Sequence, residues 1–304
     1  MKNSTINKKL SLTVGITTCY GEYSILDTVK SVRESINLPD FRFIIIADRV
    51  PISAKIKKEL KRYNVELIEN KKESGQIKKK KQILDISQSD VIIFTQDDVI
   101  FERDALSKVM NAFETDQKLT FASIRNIPVK PTSFVEAIIS VGTKISHAVA
   151  AKWNNGDNYL TVVGRCEAFR ASFALKKFRF IDKIVSTDAF FYFENKSKNG
   201  KYKFIKNAGL YYKNPQKLDI YYKKSSRFSL QKKQMSMYFS DLNSEYDIPK
   251  PILFASIIHE LLFNPFFTII YLVIFLSGRI LKHDFKTAMD ARKWDLDLST
   301  KKVV

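Results

Sequence analysis

Two adjacent carboxylates, Asp97 and Asp98, close a segment that begins with the apolar run Val91–Thr95 (VIIFT). Acids that follow a buried strand this closely are costly unless they meet a cation or hydrogen-bond donors. A Mg²⁺ or Mn²⁺ ion that bridges a diphosphate needs hard oxygen ligands of this kind, and phosphate oxygens complete its shell. The pair therefore predicts a metal-assisted diphosphate site, although helix caps and turns use the same residues.

Two further acids stand where a strand or a helix is predicted to end or begin. Asp48 follows the run Phe41–Ala47 (FRFIIIA) and can accept hydrogen bonds from a nucleobase or ribose. On pattern alone, an Asx-turn is an equally good interpretation. Asp188, in the segment Val185–Phe191 (VSTDAFF), precedes a strongly aromatic stretch, so a partly desolvated carboxylate there can take a proton from a hydroxyl group. The alternative is a helix N-cap, and without further context that interpretation is preferred.

The elements that must position these acids alternate between strand and helix over the first hundred residues. Strands are predicted at 10–16, 41–47, 65–68 and 91–95, and helices after the turn at 19–22, after Pro51 and from Gly75 to Ile86. This order predicts an α/β fold whose mostly parallel sheet has right-handed crossovers and flanking helices. Ligands bind beyond the carboxyl ends of such strands, which is where Asp48, Asp97 and Asp98 fall.

The middle of the chain is less regular. An amphipathic helix is predicted over Glu102–Phe113, and helical stretches follow between residues 130 and 160. After the segment Gly164–Phe169 (GRCEAF), the pattern predicts a helix that runs through Phe191, and then a strand pair around Tyr202–Tyr212.

Composition limits the classes of protein that this chain can belong to. Its 304 residues are 45% hydrophobic and 12% aromatic, which excludes a disordered chain and allows a substantial core. The formal net charge of +19 indicates an anionic partner such as acidic lipid or a phosphorylated substrate, unless it reflects a solvated lysine-rich face. The two cysteines, Cys19 and Cys166, lie far apart without metal-site spacing and indicate a reducing compartment.

Residues 252–281 form a long apolar segment that His259, Glu260, Asn264 and Pro265 interrupt. The basic tail beyond it belongs on the cytoplasmic side by the positive-inside rule, and the N-terminal part, which has no apolar leader, belongs there too. A single crossing cannot satisfy both requirements. A helical hairpin broken at Asn264, either re-entrant or lying in the interface, satisfies them, whereas the alternative is a pair of buried helices in a soluble protein.

Taken in order, these segments resemble the family 2 glycosyltransferases, which have the GT-A fold. The resemblance covers most of the first 230 residues, and the motifs that carry it are VGITTCYGEYSILDTVKSV, FIIIADRV, GQIKKKKQIL, VIIFTQDDVIFERDAL, VVGRCEAFR and STDAFFYFENKSKNGKYKF. It implies a GT-A domain over residues 1–240, followed by a membrane-associating helical segment and basic tail over residues 241–304.

The resemblance also implies roles for individual residues. Asp98, with help from Asp97, takes the metal position, and Asp188 takes that of the general base. The residues implied to contact substrate or nucleotide are Thr17, Asp48, Gln96, Asp97 and Arg227. Gln96 and Thr187 stand where the family often has acids, and Lys224–Phe228 keeps only an arginine and an aromatic residue from the motif of processive members, which argues against a polymer synthase.

The implied reaction is inverting transfer of a sugar from a nucleotide-sugar donor, with Mg²⁺ or Mn²⁺, to a glycan or polyprenyl-linked acceptor. The expected location is the cytoplasmic face of the cell membrane, with attachment through residues 252–281. Two alternatives stay open, a catalytically impaired GT-A-fold protein that binds the membrane surface and a sugar nucleotidyltransferase. Nucleic acid is not expected as a partner, because the aromatic residues lie in apolar runs rather than between arginines on a strand face.

Overall fold

The computed structural model describes residues 9–19, 24–182, 184–240, 242, 244–280, 298–301 and 303. The side chains of residues 223, 224, 226–229, 279, 280 and 298 are outside this description. The described residues form one sheet of eight strands in the order β3-β2-β1-β4-β7-β6-β8-β5. The strands are β1 Leu12–Thr18, β2 Phe41–Ala47, β3 Glu66–Glu69, β4 Val91–Thr95, β5 Ile100–Phe101, β6 Leu119–Pro128, β7 Cys166–Arg170 and β8 Lys201–Tyr212.

The first half of the sheet is the predicted parallel one. Strands β3, β2, β1 and β4 pair in parallel, so the carboxyl ends of β1, β2 and β4 meet at one edge. Strand β7 then pairs antiparallel with β4, with Thr95 opposite Cys166. The residues that precede β7 therefore lie beside those that follow β4, at the same edge. The predicted mostly parallel α/β fold is confirmed.

Ten α-helices lie in the described part of the chain, and those of the first third follow the predicted pattern closely. The helices are α1 Ser24–Arg33, α2 Ala54–Arg62, α3 Gly75–Ser87, α4 Ala105–Thr115, α5 Phe134–Lys152, α6 Ala171–Lys177, α7 Thr187–Ser197, α8 Leu218–Met235, α9 Lys250–Phe263 and α10 Pro265–Ile280. Helix α3 lacks acids in its first turn, yet it is anchored by long-range contacts described below.

Two predictions for the middle third were wrong. The expected helix through Phe191 is two helices, α6 and α7, because Phe178 takes an extended backbone conformation and turns into the core after α6. The expected strand pair is the single strand β8, which pairs in parallel with β6. The register between them shifts so that Ile205 and Gly209 face consecutive residues of β6, and this irregularity interrupts the ladder in the middle of β8.

Two apolar clusters cover the two faces of the sheet. The first packs α1, α2 and α4 against one face, and the second packs α3, α6 and α7 against the other. The second is rich in aromatic rings: Phe121 stacks on Phe169 with ring centroids 4.4 Å apart, and Phe191 meets Phe169 edge-on at 5.5 Å. Strand β4 and residues 43–47 of β2 are buried on both faces, which is why these stretches are continuously apolar.

Two consecutive lysines of α3 are buried at 1% exposure each. The Nζ of Lys79 donates to Asp48 Oδ1 at 2.6 Å and to the carbonyl of Thr18 at 2.8 Å. The Nζ of Lys80 instead binds Glu167 Oε2, in the middle of the sheet on β7. Because the two side chains leave the helix in different directions, they fix both its position and its rotation against β1, β2 and β7.

The C-terminal helices α9 and α10 meet at Asn264, where the sequence predicted the break, and both pack on α5. The turn satisfies its own polar groups: Asn264 Nδ2 donates to Glu260 Oε2 at 3.0 Å, and Thr268 Oγ1 donates to the Glu260 carbonyl at 3.0 Å. Tyr271 of α10 lies over Gly142 of α5 so closely that any side chain at 142 would overlap its ring.

Length and composition single out α5 as well. Among the described residues, Phe134–Gly156 is the one helical segment long and apolar enough to cross a membrane, and half of its most apolar window is buried inside the protein. Helix α10 is apolar over Pro265–Gly278 but shorter. Core helices of soluble proteins meet the same criteria of length and composition.

The buried pair of Lys80 and Glu167 yields a stability prediction. Lys80→Met removes the cation from a fully buried carboxylate and is expected to lower the free energy of unfolding by about 3 kcal/mol. Lys81→Met is the matched control, since Lys81 pairs with Asp85 on the exposed face of the same helix, and it is expected to change stability by less than about 0.5 kcal/mol. Urea denaturation followed by circular dichroism measures both. Equal effects of the two substitutions would contradict the described role of Lys80.

The contact between Tyr271 and Gly142 predicts that a glycine-to-alanine substitution within a helix will here lower stability. Glycine to alanine inside a helix normally adds up to about 1 kcal/mol of stability. Gly142→Ala is expected instead to lower the melting temperature, because the new methyl group displaces α10 from α5. Combining it with Tyr271→Ala should remove most of this penalty in a double-mutant cycle. An increase in melting temperature for Gly142→Ala alone would contradict the described packing.

Candidate functional site

The predicted carboxylate pair lies at the carboxyl edge of the parallel strands. Asp97 and Asp98 occupy the turn between β4 and β5. The side chain of Asp97 is buried, and its Oδ2 accepts a hydrogen bond of 2.5 Å from Thr18 Oγ1 at the end of β1. Asp98 is partly exposed. The strand-edge rule thus placed these acids correctly.

A lysine from the far end of the chain reaches the same pair. Lys301 closes a short 3-10 turn, Leu298–Lys301, and its Nζ binds Asp97 Oδ1 and lies 3.1 Å from Asp98 Oδ2. Burial disfavours the charged form of this ammonium, but the two carboxylates outweigh burial and raise the pKa of Lys301 above its ordinary value. The ammonium is therefore charged at neutral pH and takes the position of a cation between two acids.

Two polar atoms at this edge are buried without a hydrogen-bond partner in the described structure. One is Asp98 Oδ1 and the other is Thr17 Oγ1 on β1. An orphaned carboxylate oxygen beside a second carboxylate fits a divalent metal ion with oxygen ligands. Among the described residues, no group of three or more His, Cys, Asp and Glu side chains is placed to hold a metal by itself. A metal ion at Asp97 and Asp98 would therefore take further ligands from a bound ligand or water.

Asp48 lies at the end of β2, as predicted, but both of its oxygens are engaged within the chain. Besides the bond to Lys79, its Oδ2 accepts from the backbone N–H of Ser74 at 3.0 Å. Burial works against the charge, but these donors outweigh it and hold the pKa of Asp48 below its usual range. Contact of Asp48 with a nucleotide stays a prediction; its observed contacts join β2 to the start of α3.

Asp188 stands in the first turn of α7 and faces the same edge from the other side. Its Oδ2 accepts from the backbone N–H of Gly164 at 2.9 Å, and its Oδ1 accepts from Thr187 Oγ1 at 2.9 Å. A Cβ placed on Gly164 would lie 3.1 Å from Asp188 Oδ1 and 3.5 Å from Gln96 Nε2. Gly164 thus brings Asp188 next to Gln96, which directly precedes the carboxylate pair. The segments that carry Asp97–Asp98 and Asp188 therefore lie beside each other at one edge of the sheet.

Glu167 was not among the predicted site residues. It is completely buried behind Asp188, and burial raises its pKa; Lys80 opposes this shift only in part, and Asp188 adds to it. Its Oε1 has no hydrogen-bond partner among the described residues.

Sequence analysis also missed Lys79, Lys80 and Lys301. For the α3 pair a signal exists, since Lys80 shares a helix face with Ile77 and Leu84, whereas no local signal marks Lys301.

Two other predicted features lie partly or wholly outside the described structure. Arg227 belongs to α8, but its side chain is not described, so its predicted contact with a diphosphate stays a prediction. The turn after β1 is described only as far as Cys19. Burial raises the pKa of the Cys19 thiol despite the nearby Lys79, which fits a packing role and not a nucleophile.

Solved structures with a similar fold are glycosyltransferases. The mannosyltransferase PcManGT from Pyrobaculum calidifontis, in complex with GDP-Man and Mn²⁺, is 13% identical with a TM-score of 0.55, and the match covers 94% of this chain and 79% of that one. S. aureus TarS 1–349 in complex with UDP is 13% identical with a TM-score of 0.51, covering 91% and 76%. At this identity the likeness shows the GT-A fold alone.

Family assignment rests on the sequence match. No curated protein sequence matches the chain. The model of glycosyl transferase family 2 matches residues 13–174, which is more than half of the chain and contains β1 except its first residue, the carboxylate pair and β7. The chain belongs to glycosyl transferase family 2.

Proposed function

We propose that this glycosyltransferase is metal-dependent and inverting, and that it moves a sugar from a nucleotide-diphosphate donor to an acceptor hydroxyl at the cytoplasmic face of a membrane. The single observation that carries the proposal is the convergence of Asp188, Gln96 and Gly164 at the edge where Asp97 and Asp98 lie. An edge that brings a cation site and a carboxylate base together suits transfer from a diphosphate leaving group.

The residues present would act as follows. Asp97 and Asp98 would hold Mg²⁺ or Mn²⁺, which supplies charge neutralisation for the departing diphosphate. The Gly164 N–H and the Thr187 hydroxyl hold the carboxylate of Asp188 in a fixed orientation. In this position Asp188 takes the proton of the acceptor hydroxyl as that oxygen attacks the anomeric carbon. Thr17, whose buried hydroxyl has no partner in the described structure, supplies a hydrogen bond for the nucleotide.

The donor is proposed to be a GDP- or UDP-sugar, since the similar structures contain GDP-Man and UDP. The mostly engaged side chain of Asp48 makes a direct role in base recognition less favourable than a role in shaping the nucleotide cleft. The acceptor is proposed to be a lipid-linked saccharide, because of the surface that α9 and α10 present.

That surface is apolar and exposed. It consists of side chains between 54% and 76% exposed on α9, α10 and the start of α5: Phe134, Phe254, Ile258, Leu262, Phe263, Phe266, Ile269, Val273 and Leu276. Monomeric soluble proteins rarely expose so many large apolar side chains together. At the turn, Glu260 and Thr268 are buried and hydrogen-bonded, as groups must be where water is scarce, whereas His259 is exposed on this surface. Because the chain as a whole carries a formal net charge of +19, an apolar surface of this kind suits the interface of an anionic membrane.

The mechanism predicts a selective loss on Asp188→Asn. The amide cannot accept the acceptor proton, so turnover is expected to fall about 10²- to 10⁴-fold. Release of GDP or UDP from GDP-mannose or UDP-sugars, with Mn²⁺, measures turnover, and the thermal shift caused by GDP or UDP measures donor binding. Asp182→Asn, an exposed acid paired with Lys78, is the matched control and should retain activity. Full activity of Asp188→Asn would remove this residue from the mechanism, and inactivity of the unmodified protein on every donor would favour a non-catalytic binding protein.

The apolar surface predicts association with lipid vesicles in the absence of detergent. The protein should float with vesicles of phosphatidylcholine and phosphatidylglycerol, and Leu262→Glu combined with Phe266→Glu should reduce the bound fraction at least about tenfold, since each side chain loses apolar burial. Leu175→Glu is the control, because Leu175 is an exposed apolar residue of α6, away from the hairpin. Membrane attachment through this surface would be contradicted if the unmodified protein stayed wholly soluble. It would also be contradicted if the protein with Leu262→Glu and Phe266→Glu floated as well as the Leu175→Glu control.

A further inference from the structure

The contact between Lys301 and the carboxylate pair joins residues 203 and 204 positions apart in the chain. The ammonium lies between Asp97 Oδ1 and Asp98 Oδ2, and its side chain is 17% exposed. Two carboxylates and one ammonium leave one negative charge uncompensated, and Asp98 Oδ1 has no hydrogen-bond partner in the described structure. The site therefore already binds one cation that belongs to the chain, the ammonium of Lys301. Its remaining negative charge still favours a cation of higher charge.

Asp98 Oδ1 is open to a divalent ion, but an ion that also ligates Asp97 must share an oxygen with Lys301 or Thr18, because Asp97 Oδ1 binds Lys301 and its Oδ2 accepts from Thr18. An ion that ligates Asp97 and Asp98 would lie against the Nζ of Lys301 in a largely buried setting, where repulsion between like charges is screened little. Replacing the ammonium by a divalent ion also brings the charge of the pair to zero. Both arguments make the two cations mutually exclusive.

The segment that carries Lys301 is short and is anchored to the body of the protein by hydrogen bonds. Ser299 Oγ accepts from the backbone N–H of Gln216 at 3.3 Å. The side chain of Gln216 in turn donates to Thr132 Oγ1 and Glu136 Oε2, at the start of α5. The two ion-pair contacts of Lys301 can be exchanged for metal coordination without disturbing the sheet, because residues 298–301 are not part of it.

We infer that Lys301 is the resident cation of the Asp97–Asp98 site and that a divalent metal ion enters only as Lys301 leaves, so that metal loading releases residues 298–301 from the cleft. The C-terminal segment then acts as a plug that closes the donor site in the absence of metal. The competition itself depends only on the observed contacts, whereas its meaning as control of donor binding rests on the proposed function.

Metal binding to the full-length protein, without donor, tests the competition. Isothermal titration with Mn²⁺ is expected to show about tenfold tighter binding to Lys301→Met than to the unmodified protein, because no ammonium has to be displaced. Lys196→Met is the matched control, since Lys196 forms an exposed ion pair with Glu245 away from the cleft, and its Mn²⁺ affinity should be unchanged. Equal or weaker Mn²⁺ binding to Lys301→Met, or no binding to either protein, would overturn the inference.

Acetylation of lysine amines, read by mass spectrometry on the unmodified protein, gives a second measurement that needs no variant. Lys301 is expected to be protected without metal and to become labelled at saturating Mn²⁺, while exposed Lys196 is labelled equally in both conditions. Continued protection of Lys301 at saturating Mn²⁺ would overturn the inference.

Different experimental outcomes would contradict the proposed function and the competition between Lys301 and a metal ion. If Lys301 and Mn²⁺ compete but no nucleotide sugar is turned over, the resident-cation inference stands and the proposed function fails. If turnover requires Mn²⁺ but Lys301 stays protected, the proposed function stands and the inference fails.

Discussion

Carboxylates buried at one edge of the sheet impose the constraint on which the rest of this structure depends. Removing a carboxylate from water costs several kcal/mol unless a cation compensates it. In the described structure, lysines compensate these carboxylates at three places. Lys79 pairs with Asp48, Lys80 pairs with Glu167, and Lys301 pairs with Asp97 and Asp98. The first two cations come from neighbouring positions on one helix, and the third comes from the end of the chain. Each pairing also fixes the position of an element.

These pairings explain how distant segments form one cleft. Lys79 ties the ends of β1 and β2 to α3, and Lys80 ties α3 to β7. Because β7 runs antiparallel to β4, the loop before β7 returns to the edge where β4 ends. Gly164 in that loop then receives Asp188 from α7. The position of the candidate base is thus set by the sheet and by α3, and not by α7 alone.

Local patterns predicted the strands that end at this edge, because largely apolar runs such as β2 and β4 are typical of strands buried on both faces of a sheet. They also drew attention to Asp97 and Asp98 at this edge, whereas the role of Asp188 came from the family resemblance, because its local pattern favoured a helix N-cap. They failed for the buried lysines, since four consecutive lysines suggest a solvated helix face. Only the spacing of Lys80 from Ile77 and Leu84, three and four positions away, marks it as inward-facing. Lys301 has no such mark, because its partners are about two hundred positions away.

The last connection runs between the cation site and the apolar hairpin. Gln216 forms hydrogen bonds with Ser299, two positions before Lys301, and with Glu136, whose helix α5 packs against α9 and α10. Phe134, at the start of α5, is exposed and packs on Phe266 at the hairpin turn. The carboxylate pair and the exposed apolar surface therefore belong to one continuous set of contacts centred on the start of α5. Under the proposed function, an acceptor held in the membrane would approach the donor cleft beside the segment that closes it, so that opening the cation site and admitting the acceptor would involve the same part of the molecule.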